Sequence, residues 1–118
     1  MLNQLRFGRV WIAPGPTDMR KSFDGLSGLV RSQLGGNPLS GDLFVFCNRG
    51  KNRLKVLYFD ATGMWVFAKR LERGTFAWPH SPSAGGRIEL RYEELLLLLG
   101  GLDTEGLRER RRWRRAAS

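Results

Sequence analysis

The sequence predicts an α+β fold: a small antiparallel sheet of about four to six strands packed with two helices. Three observations predict it. Short apolar runs between residues 42 and 79 are separated by brief turns, and connections that short require antiparallel neighbours. Residues 22–34 and 92–99 read as helices, the first from its apolar spacing and the second from its acidic start and glycine stop. The chain has 118 residues, of which 42% are hydrophobic, so one core can form without disulfides or metals.

Arg9–Ala13 reads as the first strand. Pro14-Gly15-Pro16 is expected to end it, because proline cannot donate to a ladder and glycine permits a turn. Ser22–Leu34 follows as a helix. Phe23, Leu26, Val30 and Leu34 form one apolar stripe, Ser22 suits an N-cap, and Asp24 suits the positive end of the helix dipole. Gly25 and Gly28 each weaken this helix by about 1 kcal/mol relative to alanine, which points to close packing on the sheet. Leu43–Cys47, Leu54–Phe59 and Met64–Lys69 are the next strands, joined by Asn48–Arg53 and Asp60–Gly63. Thr75–Trp78 reads as a further short strand closed by Pro79, and His80–Gly86 as a surface loop. Arg87–Leu90 is a last strand. Tyr92–Leu99 is the second helix, with Glu93 and Glu94 in its first turn, Gly100-Gly101 as its stop and a leucine run expected to be mostly core.

Residues 1–103 are thus expected to form a single domain. The character changes after that. Arg108–Arg115 holds six arginines and one glutamate around Trp113, with no apolar periodicity, and 104–118 is expected to be a tail that is disordered when alone.

Several function classes are excluded or weakened. Cys47 is the single cysteine, so neither an intrachain disulfide nor a multi-cysteine zinc site can form. No stretch approaches the roughly 20 apolar residues of a membrane span, and the N-terminus lacks the apolar core of a signal peptide. A cytoplasmic, soluble protein is expected. The one histidine, His80, sits between prolines in a loop, where solvation explains it better than base catalysis. There is no Walker loop and no dinucleotide fingerprint. Metal-dependent phosphoryl chemistry needs converging carboxylates, and the candidates are Asp18, Asp24, Asp42 and Asp60. Asp24 suits a helix start and Asp60 a turn, Asp42 stands at a strand entrance, and Asp18 suits a local turn or a salt bridge to Arg20. No catalytic residue, metal or cofactor is expected.

The basic residues are harder to assign to structure. The net charge is +9 and the sequence pI about 11.0, which points first to nucleic acid as partner. Over 42–79, seven cations stand against three acids, at turns and strand ends. Arg49, Lys51 and Arg53 crowd one hairpin tip, where Gly50 lets a phosphate backbone come close, and Lys55 follows. Lys69, Arg70 and Arg73 form a second cluster, and Arg20 and Lys21 precede the first helix. Arg110, Arg111, Arg112 and Arg114 flank Trp113, which suits stacking on a base or an arginine plane. Trp65, Phe67, Phe76 and Trp78 would stack on bases if they faced solvent. Trp65 and Phe67 share a strand face, which is expected to be core.

Three segments together carry a family resemblance: VWIAPGPTDMRKSFDGL from Val10, GDLFVFCNRGKNRLKVLYFDATG from Gly41, and FAKRLERGTFAWP from Phe67. They resemble the small second-open-reading-frame proteins of the sixty-six family of bacterial insertion sequences, often called TnpB and unrelated to the RNA-guided nuclease of that name. The resemblance spans roughly residues 8–103. The tail, and Ser22 where the family often has glycine, depart from the pattern. The resemblance implies an accessory role in transposition beside a separate transposase that carries the nuclease chemistry, and it transfers no catalytic residue. The expected partners are DNA and that transposase. A second reading makes the chain a protein-interaction module that docks on the transposase without recognising DNA directly.

Overall fold

The structure is a computed structural model, and it describes residues 6–79 and 86–101. The α+β expectation holds. Five strands form one sheet: β1 (Val10–Pro16), β2 (Leu43–Cys47), β3 (Arg53–Phe59), β4 (Met64–Arg70) and β5 (Ile88–Leu90), in the order β4-β3-β2-β1-β5. Two helices accompany them, α1 (Phe23–Ser32) and α2 (Tyr92–Gly100).

The sheet is mixed rather than wholly antiparallel. β2, β3 and β4 form the expected antiparallel meander, but β1 and β2 run parallel, with Val10 opposite Leu43 and Ile12 opposite Val45. A parallel pair needs a long crossover, and residues 17–42, which carry α1, supply it. β1 also continues through Pro14-Gly15-Pro16. The prolines are tolerated because β5 pairs only Val10–Ile12, and on the other side the register to β2 slips between Ile12 and Pro16. Thr75–Trp78 is not a strand of this sheet. It docks on the hairpin tip instead, where the Phe76 amide donates to the Lys51 carbonyl at 2.7 Å.

Each face of the sheet carries one helix. Leu26, Val30 and Leu34 from the α1 segment pack on Phe44, Phe46 and Leu57. Leu95 and Leu98 of α2 join Val10, Ile12, Leu43, Val45, Leu54, Val56 and Phe76 on the other face. β2 is the central strand, and all five of its residues are buried. Three packing expectations need correction. Phe23, the first residue of α1, is exposed rather than part of the buried stripe. In α2 only Leu95 and Leu98 are buried, at i and i+3, while Leu96 and Leu97 point outward. A Cβ built on Gly25 would press on the stem of Lys21, whereas one built on Gly28 would meet no atom within 4 Å.

Ser22 does cap α1, through its backbone: its carbonyl accepts from the Leu26 amide, and its side chain makes no capping bond. α2 opens with Glu94 reaching back to the Arg91 amide at 2.9 Å. Among the described residues no helix is long and apolar enough to cross a membrane.

Candidate nucleic-acid interface

The sheet register gathers the basic residues. β1 ends opposite Cys47, the last residue of β2, so the loop carrying Arg20 and Lys21 leaves from the same end as the 48–52 tip. β3 begins at Arg53 and β4 ends at Arg70, and these two residues pair directly. Arg20, Lys21, Arg49, Lys51, Arg53, Lys55, Lys69, Arg70 and Arg73 therefore stand at one end of the sheet. The predicted tail residues Arg110, Arg111, Arg112, Trp113 and Arg114 lie outside the described residues.

The tip is rigidly organised. The Asn48 side-chain oxygen accepts from the amides of Asn52 and Arg53 at 3.0 and 3.1 Å, and its amide nitrogen donates to the Asn52 side chain at 2.8 Å. Lys51 holds φ +58, a conformation that favours glycine, so a lysine there carries a backbone cost. The Arg49 and Lys51 side chains beside it are exposed, and like those of Lys21 and Arg53 they make no hydrogen bond or ion pair among the described residues.

The other cations have local partners. Arg20 is gripped by Asp18, through Nη2 at 2.8 Å and Nε at 3.1 Å to both carboxylate oxygens. Lys55 Nζ donates to the Lys21 carbonyl at 2.8 Å, tying β3 to the start of α1. Lys69 Nζ donates to the Leu99 carbonyl at 2.7 Å on the opposite face, where it closes the C-terminus of α2. Arg70 reaches one oxygen of Glu72 through Nε and Nη2, at 3.2 and 3.1 Å.

Between these groups lies a groove of about 410 Å³, with Met19, Arg53, Lys55, Ala68, Arg70 and Glu72 among its walls. In the cross-strand register Arg53 faces Arg70 and Lys55 faces Ala68. Like charges directly opposed on a sheet repel, and here Glu72 offsets the charge of Arg70 while Arg53 has no such partner among the described residues.

The carboxylates are accounted for by structure. Hydrogen bonds from the Arg20 side chain and amide hold the Asp18 carboxyl down at about 2. Asp60 accepts from the Trp65 indole, from the Thr62 amide and hydroxyl, and from the Gly63 amide, which together keep its carboxyl well below the usual range. Asp42 accepts from the Arg9 amide and the Trp11 indole. Among the described residues no group of three or more His, Cys, Asp or Glu is placed to hold a metal. Burial pushes the Cys47 thiol up to about 11, which leaves it a poor nucleophile. Both depressed aspartates make stability acid-sensitive. A carboxyl whose folded pKa is lowered contributes fully above its ordinary value of 3.8, and the contribution is lost as pH falls through the folded value. The thermal midpoint should thus be level from pH 7 to 5 and fall between about pH 4 and 2, with a smaller fall in an Asp60→Asn variant.

The expectation that Trp65 and Phe67 are core is half right. They do share the face that carries α2, and Phe67 packs against the core, but Trp65 is 48% exposed. Its ring stacks parallel on Phe67 at 6.0 Å between centroids, and its indole is anchored to Asp60 at 2.8 Å. Trp65 stands on β4, an edge strand with no neighbouring strand on its outer side among the described residues. Phe76 is fully buried and presents no stacking surface, whereas Trp78, whose indole donates to the Ala13 carbonyl at 2.9 Å, stays partly exposed beside Arg49 and Lys51 of the tip.

The family described as IS66 Orf2 like protein matches residues 8–109, which include the whole cationic end of the sheet. The chain belongs to the IS66 Orf2-like family. Membership ties it to an insertion sequence and to transposition. Two relatives come from Sinorhizobium fredii (strain NGR234). Uncharacterized protein y4hO is 47% identical over 95 residues, covering 80% of this chain and 81% of the relative. Uncharacterized protein y4jC is 39% identical over 103 residues, covering 87% and 86%. No solved structure matches the chain.

Proposed function

We propose that this IS66 Orf2-like protein is a non-enzymatic accessory factor in transposition that binds DNA through the cationic end of its sheet. The observation that carries the reading is the convergence of the 48–52 tip with Arg53 and Arg70, where two like charges face each other across the strands. Lys21, Arg49, Lys51 and Arg53 have side chains without an internal partner among the described residues, which leaves them available to phosphates. The Arg-rich segment 104–118 adds sequence-independent affinity to the same polyanion. Chemistry is left to a separate transposase, in a cytoplasmic complex.

The test is fluorescence anisotropy of the full chain against a duplex from the ends of its own element and a scrambled duplex, each over a salt series. Preference for the element ends at physiological salt is the expected result. Equal, steeply salt-dependent binding reduces the role to a generic cationic surface, and absence of binding removes the reading. Deleting residues 104–118 should lower affinity for both duplexes and leave the thermal midpoint unchanged.

One observation favours docking on the transposase as a second reading. Leu97 of α2 is 80% exposed beside Leu96, an apolar pair with no cover among the described residues. Co-purification with transposase that is lost in Leu96→Ser/Leu97→Ser, without any DNA binding by the isolated chain, would replace the first reading with this one.

A further inference from the structure

We propose that Arg53 and Arg70 grip a single backbone phosphate of DNA between them, in the groove floored by Ala68 and walled by Lys55 and Met19. The proposal rests on the DNA-binding reading and gives it one defined phosphodiester seat.

Four features of the groove support the seat. The two arginines come from adjacent strands and are directly opposed, so their side chains leave the same face of the sheet about 4.5–5.5 Å apart at Cβ. Two guanidinium forks rising from such a base suit the oxygens of one phosphate better than those of two successive ones. The next pair along the strands is Lys55 opposite Ala68, and the short Ala68 side chain leaves the volume into which the forks can turn. Lys55 is fixed at 2.8 Å from the Lys21 carbonyl, so its ammonium stands as a preset wall and retains further protons to donate. The Met19 side chain lines one wall of the groove with an apolar surface, against which the guanidinium stems can pack.

Glu72 occupies part of the seat in the free protein. Both Arg70 contacts converge on one carboxylate oxygen, and both side chains are largely exposed. A pair of this geometry is weak and exchangeable. A phosphate entering the groove would take the Arg70 fork, and Glu72 would turn to solvent. Glu72 is thus a built-in competitor that weakens binding to any ligand unable to engage Arg53 at the same time.

The test is equilibrium binding of the full chain to a DNA duplex over a salt series. It compares Arg53→Ala, Arg70→Ala, the double variant, Arg53→Lys, Glu72→Gln and, as a control at the far end of the sheet, Arg9→Ala. If one phosphate is shared, each single alanine variant loses about tenfold in affinity, with little change in salt slope, because the other arginine still neutralises it. The double variant then flattens the log–log slope by about 0.9. Arg53→Lys should keep the slope and lose several-fold in affinity, since a lysine keeps the charge without the fork. Glu72→Gln should bind a few-fold tighter, and Arg9→Ala should change affinity less than about twofold. A slope that falls by about 0.9 in each single variant and about 1.8 in the double means two separate phosphates and overturns the shared seat. Single variants no weaker than Arg9→Ala overturn it as well. If the wild-type chain binds no duplex at all, the DNA-binding reading falls along with the seat. Failure of the seat alone shows instead as firm wild-type binding with indifferent variants.

Discussion

Alanine at Arg49, Lys51, Arg53 and Arg70 together should weaken duplex binding by at least ~500-fold at ~0.1 M salt and leave the fold intact. The size follows from counting phosphates. Arg49 and Lys51 account for one each and the facing arginines share a third, so the salt slope should fall by roughly 2.7. At ~0.1 M salt the counterion-release part of affinity carries about the same number of decades, and it vanishes toward ~1 M. The gap between variant and wild type should therefore narrow as salt rises, down to the salt-independent share that the hydrogen bonds of Arg53 and Arg70 contribute. The side chains removed are exposed, and two of them repel one another across the strands. Relief of that repulsion is worth about 0.2–1 kcal/mol, so the thermal midpoint should hold or rise slightly. A gain in stability with a loss of binding is the signature of residues kept for a ligand. If affinity at low salt is unchanged, the cationic end is not the contact surface.

Much of this architecture is legible in local sequence, and the parts that are not share a cause. β2, β3 and β4 announce themselves as apolar runs between glycine- and asparagine-rich turns, and α1 as a stripe closing on Gly35-Gly36. The parallel pairing of β1 with β2 is a property of two strands separated by a helix. The strand–helix–strand order was visible, but the pairing is decided only when α1 covers one face of the sheet. The continuation of β1 through two prolines depends on where β5 stops, which is set far along the chain. The exposure of Trp65 likewise goes with the place of β4 at the sheet edge, which the strand order sets and no local pattern encodes.

The site shows the same division. Charge clustering identified the basic residues by type and position, but not which of them are engaged. Lys69 looks like its neighbours in sequence, yet it caps the carbonyl end of α2 on the other face. Arg20 is engaged by Asp18 two residues before it, a pairing the sequence did suggest. The facing of Arg53 and Arg70 was within reach. The four-residue turn at 60–63 sets Phe59 opposite Met64, and counting outward along both strands brings Arg53 opposite Arg70. The alternation of strand side chains then puts Arg53, Lys55 and Arg70 on one face and Lys69 on the other.

Phe44→Ala should cost about 3–5 kcal/mol, read as a fall in the urea midpoint at unchanged slope. Phe44 lies on the central strand, fully buried, among Leu26, Val30, Leu34, Phe46 and Leu57. Truncation costs most where the surroundings cannot close the cavity, and here they have little room to move. The chain that follows α1 already presses on the ring: a Cβ built on Gly36 would stand 3.2 Å from Phe44 Cε1 and 3.3 Å from Val30 Cγ1. Set against a total stability of about 5–15 kcal/mol, the loss is a large fraction of the fold. It also reaches the interface. Phe44 seats α1, the segment leading into α1 carries Lys21, and the Lys21 carbonyl holds Lys55 at the groove wall. The variant should therefore bind DNA more weakly even under conditions where it stays folded, without removal of any charge. Leu97→Ala, on the exposed face of α2, should stay within about 0.5 kcal/mol of wild type. A Phe44→Ala cost below about 1 kcal/mol would mean that α1 is not packed on this face. The groove would then lose the wall that α1 positions.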